Sequence, residues 1–210
     1  MEASFWHNLW EKNLTGWHLD SANPFLIEFF SRLELSSSSR VFIPLCGKTI
    51  DIKWILDKGY RVAGAELNEN AIKELFISLS LKPIIKKIGK FKLYSAENID
   101  IFVGDIFDLS KETLGDIDAI YDRAALVALP KEMRLQYVSL LKNIAKSKPK
   151  LLINYEYEQK LYGGPPFSIA KKEIEEHYGE LYTIKLLKSF KIEDGPFKEL
   201  MAYENIWLLS

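Results

Sequence analysis

The feature that most constrains the fold is a regular alternation of short apolar runs with amphipathic helical segments. The run from Arg40 to Ile43 is followed by apolar residues at helical spacing. The run from Tyr60 to Leu67 is followed by a second such segment, which Asn68 can cap. Neighbouring parallel strands need a crossover, and the crossover is usually a helix. The pattern therefore predicts a mostly parallel sheet with helices on both faces.

The rest of the chain continues this alternation and then departs from it. Further strands are predicted at 99–103, 117–121 and 151–157. A helix is expected to begin at Pro130, and a short one to surround Ile174. Two last apolar runs, 182–190 and 200–209, have no long helical pattern between them and predict an antiparallel pair. Such a seven-stranded α/β sheet with a terminal antiparallel pair is typical of the Rossmann-like class I methyltransferases, an analogy at the level of fold.

Length, charge and cysteine content exclude several classes of function. The 210 residues are 48% hydrophobic, which predicts a single domain, 1–210, with a helical cap over 1–35 and a core over 36–210. Lys and Arg total 28 against 29 Asp and Glu, so no excess of positive charge favours nucleic acid or a membrane surface as partner. Cys46 is the only cysteine, and the N-terminus lacks the pattern of a secretory signal. We expect a soluble, cytoplasmic protein.

The first predicted strand ends in a loop, Leu45-Cys46-Gly47-Lys48, at the edge of the sheet where ligands bind. Gly47 allows close backbone approach there. A phosphate-binding P-loop would need an earlier glycine where Phe42 stands, and the dinucleotide pattern GxGxxG is also missing. Cys46 has no histidine nearby in sequence, which favours a small core residue over a reactive thiol.

Glu66 is the most informative carboxylate, because it ends the second strand nineteen positions after Gly47. An acid at this place typically accepts hydrogen bonds from the ribose hydroxyls of an adenosine cofactor. The alternative is an acid that only favours the start of the next helix.

Two further strand ends carry candidate residues. The third strand is followed by Asp105-Ile106-Phe107, which can offer a polar contact and apolar walls to an adenine ring. The fourth strand ends in Asp122-Arg123, which places opposite charges at the predicted site or, alternatively, forms a surface ion pair.

The N-terminal segment is crowded with aromatic residues. Trp6, Trp10 and Trp17 predict either a helix packed on the sheet or a lid over a pocket, and packing is favoured for Trp6. The three histidines are not spaced as metal ligands, so we expect no metal.

Several motifs together carry a family resemblance along almost the whole chain. They are FWHNLWEKNLTGWH, NPF, RVFIPLCGKTIDIKWI, GYRVAGAEL, GDIFDL, YDRAALVALP and GPPF. In order and spacing they resemble the thiopurine S-methyltransferase family. PLCGK stands where most class I methyltransferases have a more glycine-rich turn, and this departure is typical of that family.

The resemblance implies a small, usually monomeric, cytosolic enzyme that transfers a methyl group from S-adenosylmethionine to the sulfur of thiopurines and related aromatic thiols, leaving S-adenosylhomocysteine. Trp17 matches a position bordering both the cofactor and the acceptor, where other members can carry Phe. The positions that match the family's cofactor-binding residues are Trp10, Leu45, Glu66 and Arg123, with Asp105, Ile106 and Phe107 near adenine.

Physical chemistry makes this reaction reasonable for these residues. Methyl transfer from a sulfonium cation to a thiolate neutralises charge, which favours a closed, apolar site. Arg123 is expected to hold the acceptor as its anion, and Asp122 to orient Arg123 or carry off a proton; fixing the strand end is the other role open to Asp122. Two rivals remain: a methyltransferase for aliphatic thiols, halide, thiocyanate, selenium or tellurium species, and a non-catalytic cofactor-binding module.

Overall fold

The computed structural model of the protein describes residues 3–193, 197 and 199–210. The described strands are β1 (Arg40–Ile43), β2 (Arg61–Glu66), β3 (Ile84–Ile88), β4 (Phe91–Ala96), β5 (Ile99–Val103), β6 (Ala119–Arg123), β7 (Lys150–Glu156), β8 (Ile184–Lys191) and β9 (Tyr203–Leu209). The described α-helices are α1 (Ala3–Glu11), α2 (Pro24–Phe29), α3 (Asp51–Asp57), α4 (Glu69–Ser78), α5 (Lys111–Leu114), α6 (Lys131–Ala145) and α7 (Lys171–Tyr178).

All these strands join one sheet in the order β3-β4-β5-β2-β1-β6-β7-β9-β8. The five central strands, from β5 to β7, are parallel, while β9 lies antiparallel between β7 and β8. The Rossmann-like α/β fold with a terminal antiparallel pair is thus confirmed. Chain order reverses beside β1, so the ends of β1, β2, β5 and β6 meet at the switch point where such sheets bind ligands.

The predicted count of seven strands was wrong, because the described sheet has nine. The two extra strands form the hairpin β3–β4, which adds antiparallel to β5. Its sequence, IIKKIGKFKLYSA, places lysines throughout, and every residue of β3 is exposed. A strand without a buried face shows no alternation between apolar and polar positions, so the usual signal is missing.

The sheet separates two layers of apolar side chains. On one face, Val41 and Ile43 of β1 pack with residues of α2, α3 and α4. On the other face, Phe42 packs with residues of α5, α6 and α7. This alternation follows from the two-residue period of a strand. Within the described residues, no helix is long and apolar enough to cross a membrane.

A charged cluster lies buried on the α6 side of the sheet. The carboxylate of Asp122 accepts hydrogen bonds from the Tyr137 hydroxyl (2.8 Å) and the Leu126 N–H (3.2 Å). Lys150 is fully buried, and its Nζ lies 3.9 Å from the centre of the Tyr178 ring without a hydrogen-bond partner in the described part of the chain. Burial lowers the pKa of Lys150 to about 8, although the charge of Asp122 opposes the shift.

This burial predicts a pH-dependent contribution of Lys150 to stability. Its folded pKa lies below its unfolded value, so the charged amine destabilises the fold most below about pH 8 and progressively less as the pH rises. Relative to Lys150→Met, the wild type should gain about 2 kcal/mol in free energy of unfolding between about pH 8 and about pH 9.5. Urea unfolding of both proteins across this range measures the difference. Parallel curves would contradict the prediction.

Candidate active site

A cavity of about 550 Å³ opens where the ends of the central strands meet the N-terminal segment. Its volume lies within the range of pockets that bind cofactors and drug-sized ligands. Its wall combines residues from the ends of β1, β2 and β6, the segment after β5, α1 and the loop at 162–166. The predicted residues on this wall are Trp10, Trp17, Leu45, Glu66, Asp105, Ile106 and Phe107.

Glu66 lies at the end of β2 with its carboxylate held by backbone donors. Its Oε2 accepts from the Gly47 N–H and its Oε1 from the Asn68 N–H, each at 2.8 Å. Burial raises the pKa of Glu66, while these N–H groups oppose the rise. A carboxylate has about four acceptor positions, so both oxygens keep capacity for another donor. The residue is therefore fixed in place and still able to accept two hydrogen bonds from a vicinal diol.

The loop after β1 forms the floor of the site. Gly47 has a positive φ of 52°, and a Cβ atom there would lie 3.0 Å from the Trp10 ring. Leu45 and Ala124, at the ends of the adjacent strands β1 and β6, are non-glycine residues with φ of 46° and 59°. A left-handed backbone conformation at a non-glycine residue costs roughly 1–2 kcal/mol. Strain at two neighbouring cavity-lining positions is typical of a functional site.

We expect Gly47→Ala to weaken binding of S-adenosylhomocysteine, the product implied by the sequence resemblance, about 10-fold, or roughly 1.4 kcal/mol. The added methyl group must displace the Trp10 ring slightly. The backbone at position 47 must also keep a positive φ, which alanine disfavours. Gly59→Ala is the matched control, because Gly59 also has a positive φ, 84°, but open space around its Cβ position. Calorimetric titration should show weaker binding for the first variant alone. Equal affinities for both would show that the contact has no role.

The lone cysteine is part of the packing beneath this floor. Cys46 is buried, and its Sγ would lie 2.8 Å from a Cβ atom on Gly64 of β2. Burial raises the pKa of the Cys46 thiol well above its ordinary value, and the charge of Glu66 adds to the rise. The prediction of a small core residue is confirmed.

The segment after β5 supplies one side of the cavity. Asp105 is exposed, and its carboxylate accepts a 3.0 Å hydrogen bond from the Phe107 N–H. Ile106 is buried and Phe107 partly buried, and both face the cavity. A flat ring between these apolar side chains would have a carboxylate at its edge, which is the combination predicted for adenine.

Arg123 lies in a small cleft that adjoins the main cavity. The cleft shares Trp10 and Trp17 with that cavity and is also lined by His18 and Lys48. Arg123 Nη2 donates to the Trp17 carbonyl at 3.1 Å, while its buried Nε has no hydrogen-bond partner among the described residues. Burial and the nearby Lys48 lower the pKa of His18. The cleft therefore holds two cationic side chains, Arg123 and Lys48, beside the buried Asp51, and within the described residues it retains an unused buried donor.

The N-terminal segment lies over the cavity and is tied to the strand ends. The Asn68 side chain donates to His7 Nδ1 at 3.2 Å, and Trp17 makes edge-to-face contacts with Trp6 and Trp10, each with ring centres 5.7 Å apart. No described residue of α1 is buried. The expectation that Trp6 packs on the sheet was wrong, because it lines the cavity. Amphipathicity alone does not reveal which surface an aromatic stripe covers.

Asp122 is not brought to the site. Its side chain alternates with that of Arg123 along β6 and is fully buried on the α6 side, outside the walls of both cavities. Its hydrogen bonds go to Tyr137 and Leu126 rather than to Arg123. Residues next to each other on a strand face opposite sides of the sheet, which separates the two charges.

Sequence reasoning missed two polar residues near Arg123. Tyr155 of β7 lines the cavity, and Glu204 of β9 is its direct partner across the sheet. Neither stands in a recognisable motif, and Glu204 approaches Tyr155 only because β9 inserts between β7 and β8. Among the described residues, no group of three or more His, Cys, Asp or Glu side chains is placed to hold a metal ion.

Comparison with known sequences identifies the family. A profile of thiopurine S-methyltransferase matches residues 1–201. The thiopurine S-methyltransferase of Teredinibacter turnerae is 46% identical over 210 residues, with 100% of this chain and 98% of that protein covered. That of Xanthobacter autotrophicus is 45% identical over 211 residues, with 100% and 99% covered. The chain belongs to the thiopurine S-methyltransferase family.

Solved structures agree with this membership at the level of fold. A Burkholderia thailandensis 1,6-didemethyltoxoflavin-N1-methyltransferase with bound S-adenosylhomocysteine superposes with a TM-score of 0.68 at 13% identity, covering 99% of this chain and 85% of that one. A Methanosarcina mazei S-adenosylmethionine-dependent methyltransferase gives a TM-score of 0.63 at 14% identity, covering 90% and 98%. As a thiopurine S-methyltransferase family member, the protein is a methyltransferase that uses S-adenosylmethionine, and the predicted cofactor is confirmed.

Proposed function

We propose that this enzyme methylates the sulfur of thiopurines and related aromatic thiols. The observation that carries the proposal is the composition of the cavity wall. Of its described residues, Glu66 and Asp105 are the charged ones, and both lie toward the cofactor positions. The remaining wall is aromatic and apolar, including Trp17, Phe107 and Pro166. Such a surface favours a flat, apolar acceptor over a hydrated inorganic anion.

The residues fit S-adenosylmethionine, which supplies a methyl group on a sulfonium sulfur. Glu66 would accept from the ribose hydroxyls, and Ile106 and Phe107 would flank the adenine. The unpartnered Nε of Arg123 would donate to the carboxylate of the methionine part, with Trp10 covering the floor formed by Leu45 and Gly47. These assignments use a fixed carboxylate and a buried donor that the described part of the chain leaves unpaired.

The assignment of Arg123 to the cofactor replaces the role expected from the sequence, in which Arg123 holds the acceptor as its anion. Arg123 lies in the cleft rather than on the main wall, so it acts on the acceptor through Trp17, whose carbonyl it holds. Trp17 then borders both the cofactor and the acceptor. For Asp122 we propose the structural role, fixing the end of β6 through the Leu126 N–H so that Arg123 enters the cleft.

The apolar wall contributes to the reaction by excluding water. Opposite charges combine in the transition state, and their attraction is weaker in a hydrated site than in a dry one. The wall also holds the acceptor sulfur in line with the transferable methyl, which lowers the entropy cost of the encounter. We further propose that the enzyme works in the cytoplasm as a monomer. The near-zero net charge of −1 supports the proposal that it has no nucleic-acid or membrane partners.

A panel of acceptors tests the proposal. The purified enzyme with S-adenosylmethionine is assayed against 6-mercaptopurine, thiophenol, 2-mercaptoethanol and iodide, and S-adenosylhomocysteine formation is measured. We expect kcat/KM for the two aromatic thiols to exceed that for the others by at least about 100-fold, because ring contacts with the wall contribute several kcal/mol. A preference for iodide or the aliphatic thiol would contradict the proposal, and cofactor binding without any methylation would support a non-catalytic module.

A further inference from the structure

Three adjacent strand ends bring together an arginine, a tyrosine and a glutamate on one face of the sheet. Arg123 of β6 is paired in register with Ile153 of β7, and Ile153 with Ile206 of β9. Two positions after Ile153, toward the cavity, Tyr155 of β7 pairs with Glu204 of β9. Because side chains two apart on a strand face the same side, all three polar residues share the face of Ile153.

Within this group, Tyr155 lies at the cavity and Glu204 lies behind it. Tyr155 lines the cavity, and its hydroxyl interacts with the Glu204 carboxylate, which is not part of the cavity wall. Among the described residues, the charged group that faces Glu204 is Arg123 of β6, and the neutral Tyr121 hydroxyl on the same strand interacts with it more weakly. A path therefore leads from the cavity through the Tyr155 hydroxyl to a carboxylate behind it.

We propose that Tyr155 and Glu204 form a proton relay that ionises weakly acidic thiol acceptors. This inference rests on the proposed function, S-methylation of aromatic thiols. The Tyr155 oxygen takes the proton of the acceptor S–H while its own O–H proton passes to a Glu204 oxygen. The thiol sulfur keeps the S–H electron pair and uses it to form the new S–C bond; the bond from methyl to the donor sulfur breaks, and its electron pair stays on that sulfur. Glu204 then releases its proton to solvent.

The environment of both groups suits this role. Burial raises the pKa of Glu204 above its ordinary value although the positive charge of Arg123 opposes the rise, which makes the carboxylate a stronger base. Burial and the charge of Glu204 raise the pKa of Tyr155 to about 12, so the hydroxyl stays protonated and can pass a proton without ionising. Glu204 is only partly buried, so a proton placed on it can leave.

The relay predicts a selective effect on acceptors that are protonated at the assay pH. The variants are Tyr155→Phe, which keeps the ring packed 5.3 Å from Phe197, and Glu204→Gln. The acceptors are 4-nitrothiophenol and the less acidic 4-methoxythiophenol, which share one ring. At about pH 6 both variants should lower kcat/KM for the methoxy compound about 5-fold, because only a minor share of it is already thiolate, and change that for the nitro compound less than about 2-fold. The loss of kcat/KM for the methoxy compound should disappear as the pH approaches about 8, because both acceptors are thiolates there.

The control is Glu156→Gln, since Glu156 neighbours Tyr155 on β7 but bonds to the Asn205 side chain and lies outside the cavity wall. Equal losses with both thiols at every pH would show that Glu204 only balances the charge of Arg123. Unchanged kinetics in both variants would also overturn the relay. If the wild type methylates neither thiol, the proposed function fails instead, so the two failures are distinguishable.

Discussion

Replacement of Arg123 by alanine is expected to lower kcat/KM about 100- to 1,000-fold. The change removes the unpartnered Nε donor proposed for the cofactor carboxylate, and it frees the Trp17 carbonyl that Nη2 holds at 3.1 Å. It also leaves the partly buried Glu204 without its opposing charge. Loss of one partner of a buried, hydrogen-bonded charge pair, here the proposed pair of Arg123 with the cofactor carboxylate, typically costs about 2–5 kcal/mol.

Steady-state kinetics with thiophenol and S-adenosylmethionine measure the loss. Arg123→Lys should retain part of the activity, because lysine keeps the charge but lacks the planar fork of donors. Arg32→Ala is the control, since Arg32 is an exposed arginine outside both cavities. A fall of less than about 3-fold in Arg123→Ala would remove this residue from the site.

The second large effect is expected for Glu66→Gln, which should weaken S-adenosylhomocysteine binding about 100-fold, or roughly 2.7 kcal/mol. The two carboxylate oxygens already accept from the Gly47 and Asn68 N–H groups. A glutamine must turn its NH₂ group toward one of these donors, which leaves a buried donor unsatisfied and one ribose hydroxyl without an acceptor.

Calorimetric titration compares the wild type, Glu66→Gln and the exposed control Glu97→Gln. The control should bind like the wild type. If Glu66→Gln binds as tightly as the wild type, the ribose assignment is wrong and Glu66 serves only to order the loop after β1.

Much of the fold followed from the sequence because its signals are local. The strand ending at Glu66 and the helix capped by Asn68 were predicted within a residue or two, and the Asn68 side chain does accept from the Ala71 N–H. The terminal antiparallel pair was predicted from the missing helical pattern before it. The β3–β4 hairpin was missed because its outer strand buries nothing.

The candidate site was predictable where a residue stands at the end of a strand. Glu66 and Arg123 were located in this way, whereas Asp122 was placed with its neighbour although the alternation of the strand turns it to the other face. Tyr155 and Glu204 could not be found, because their proximity depends on the register between β7 and β9. Such long-range pairing leaves no mark within either segment.

The central claim is that one cofactor spans Glu66 and the Arg123 cleft with its reactive end toward the apolar wall. A crystal structure of the S-adenosylhomocysteine complex tests it most directly. The account predicts the ribose hydroxyls on the Glu66 carboxylate, the homocysteine carboxylate on Arg123 and the sulfur facing Trp17. A nucleoside bound elsewhere, or one in this cavity with Glu66 contacting only Gly47 and Asn68, would contradict it.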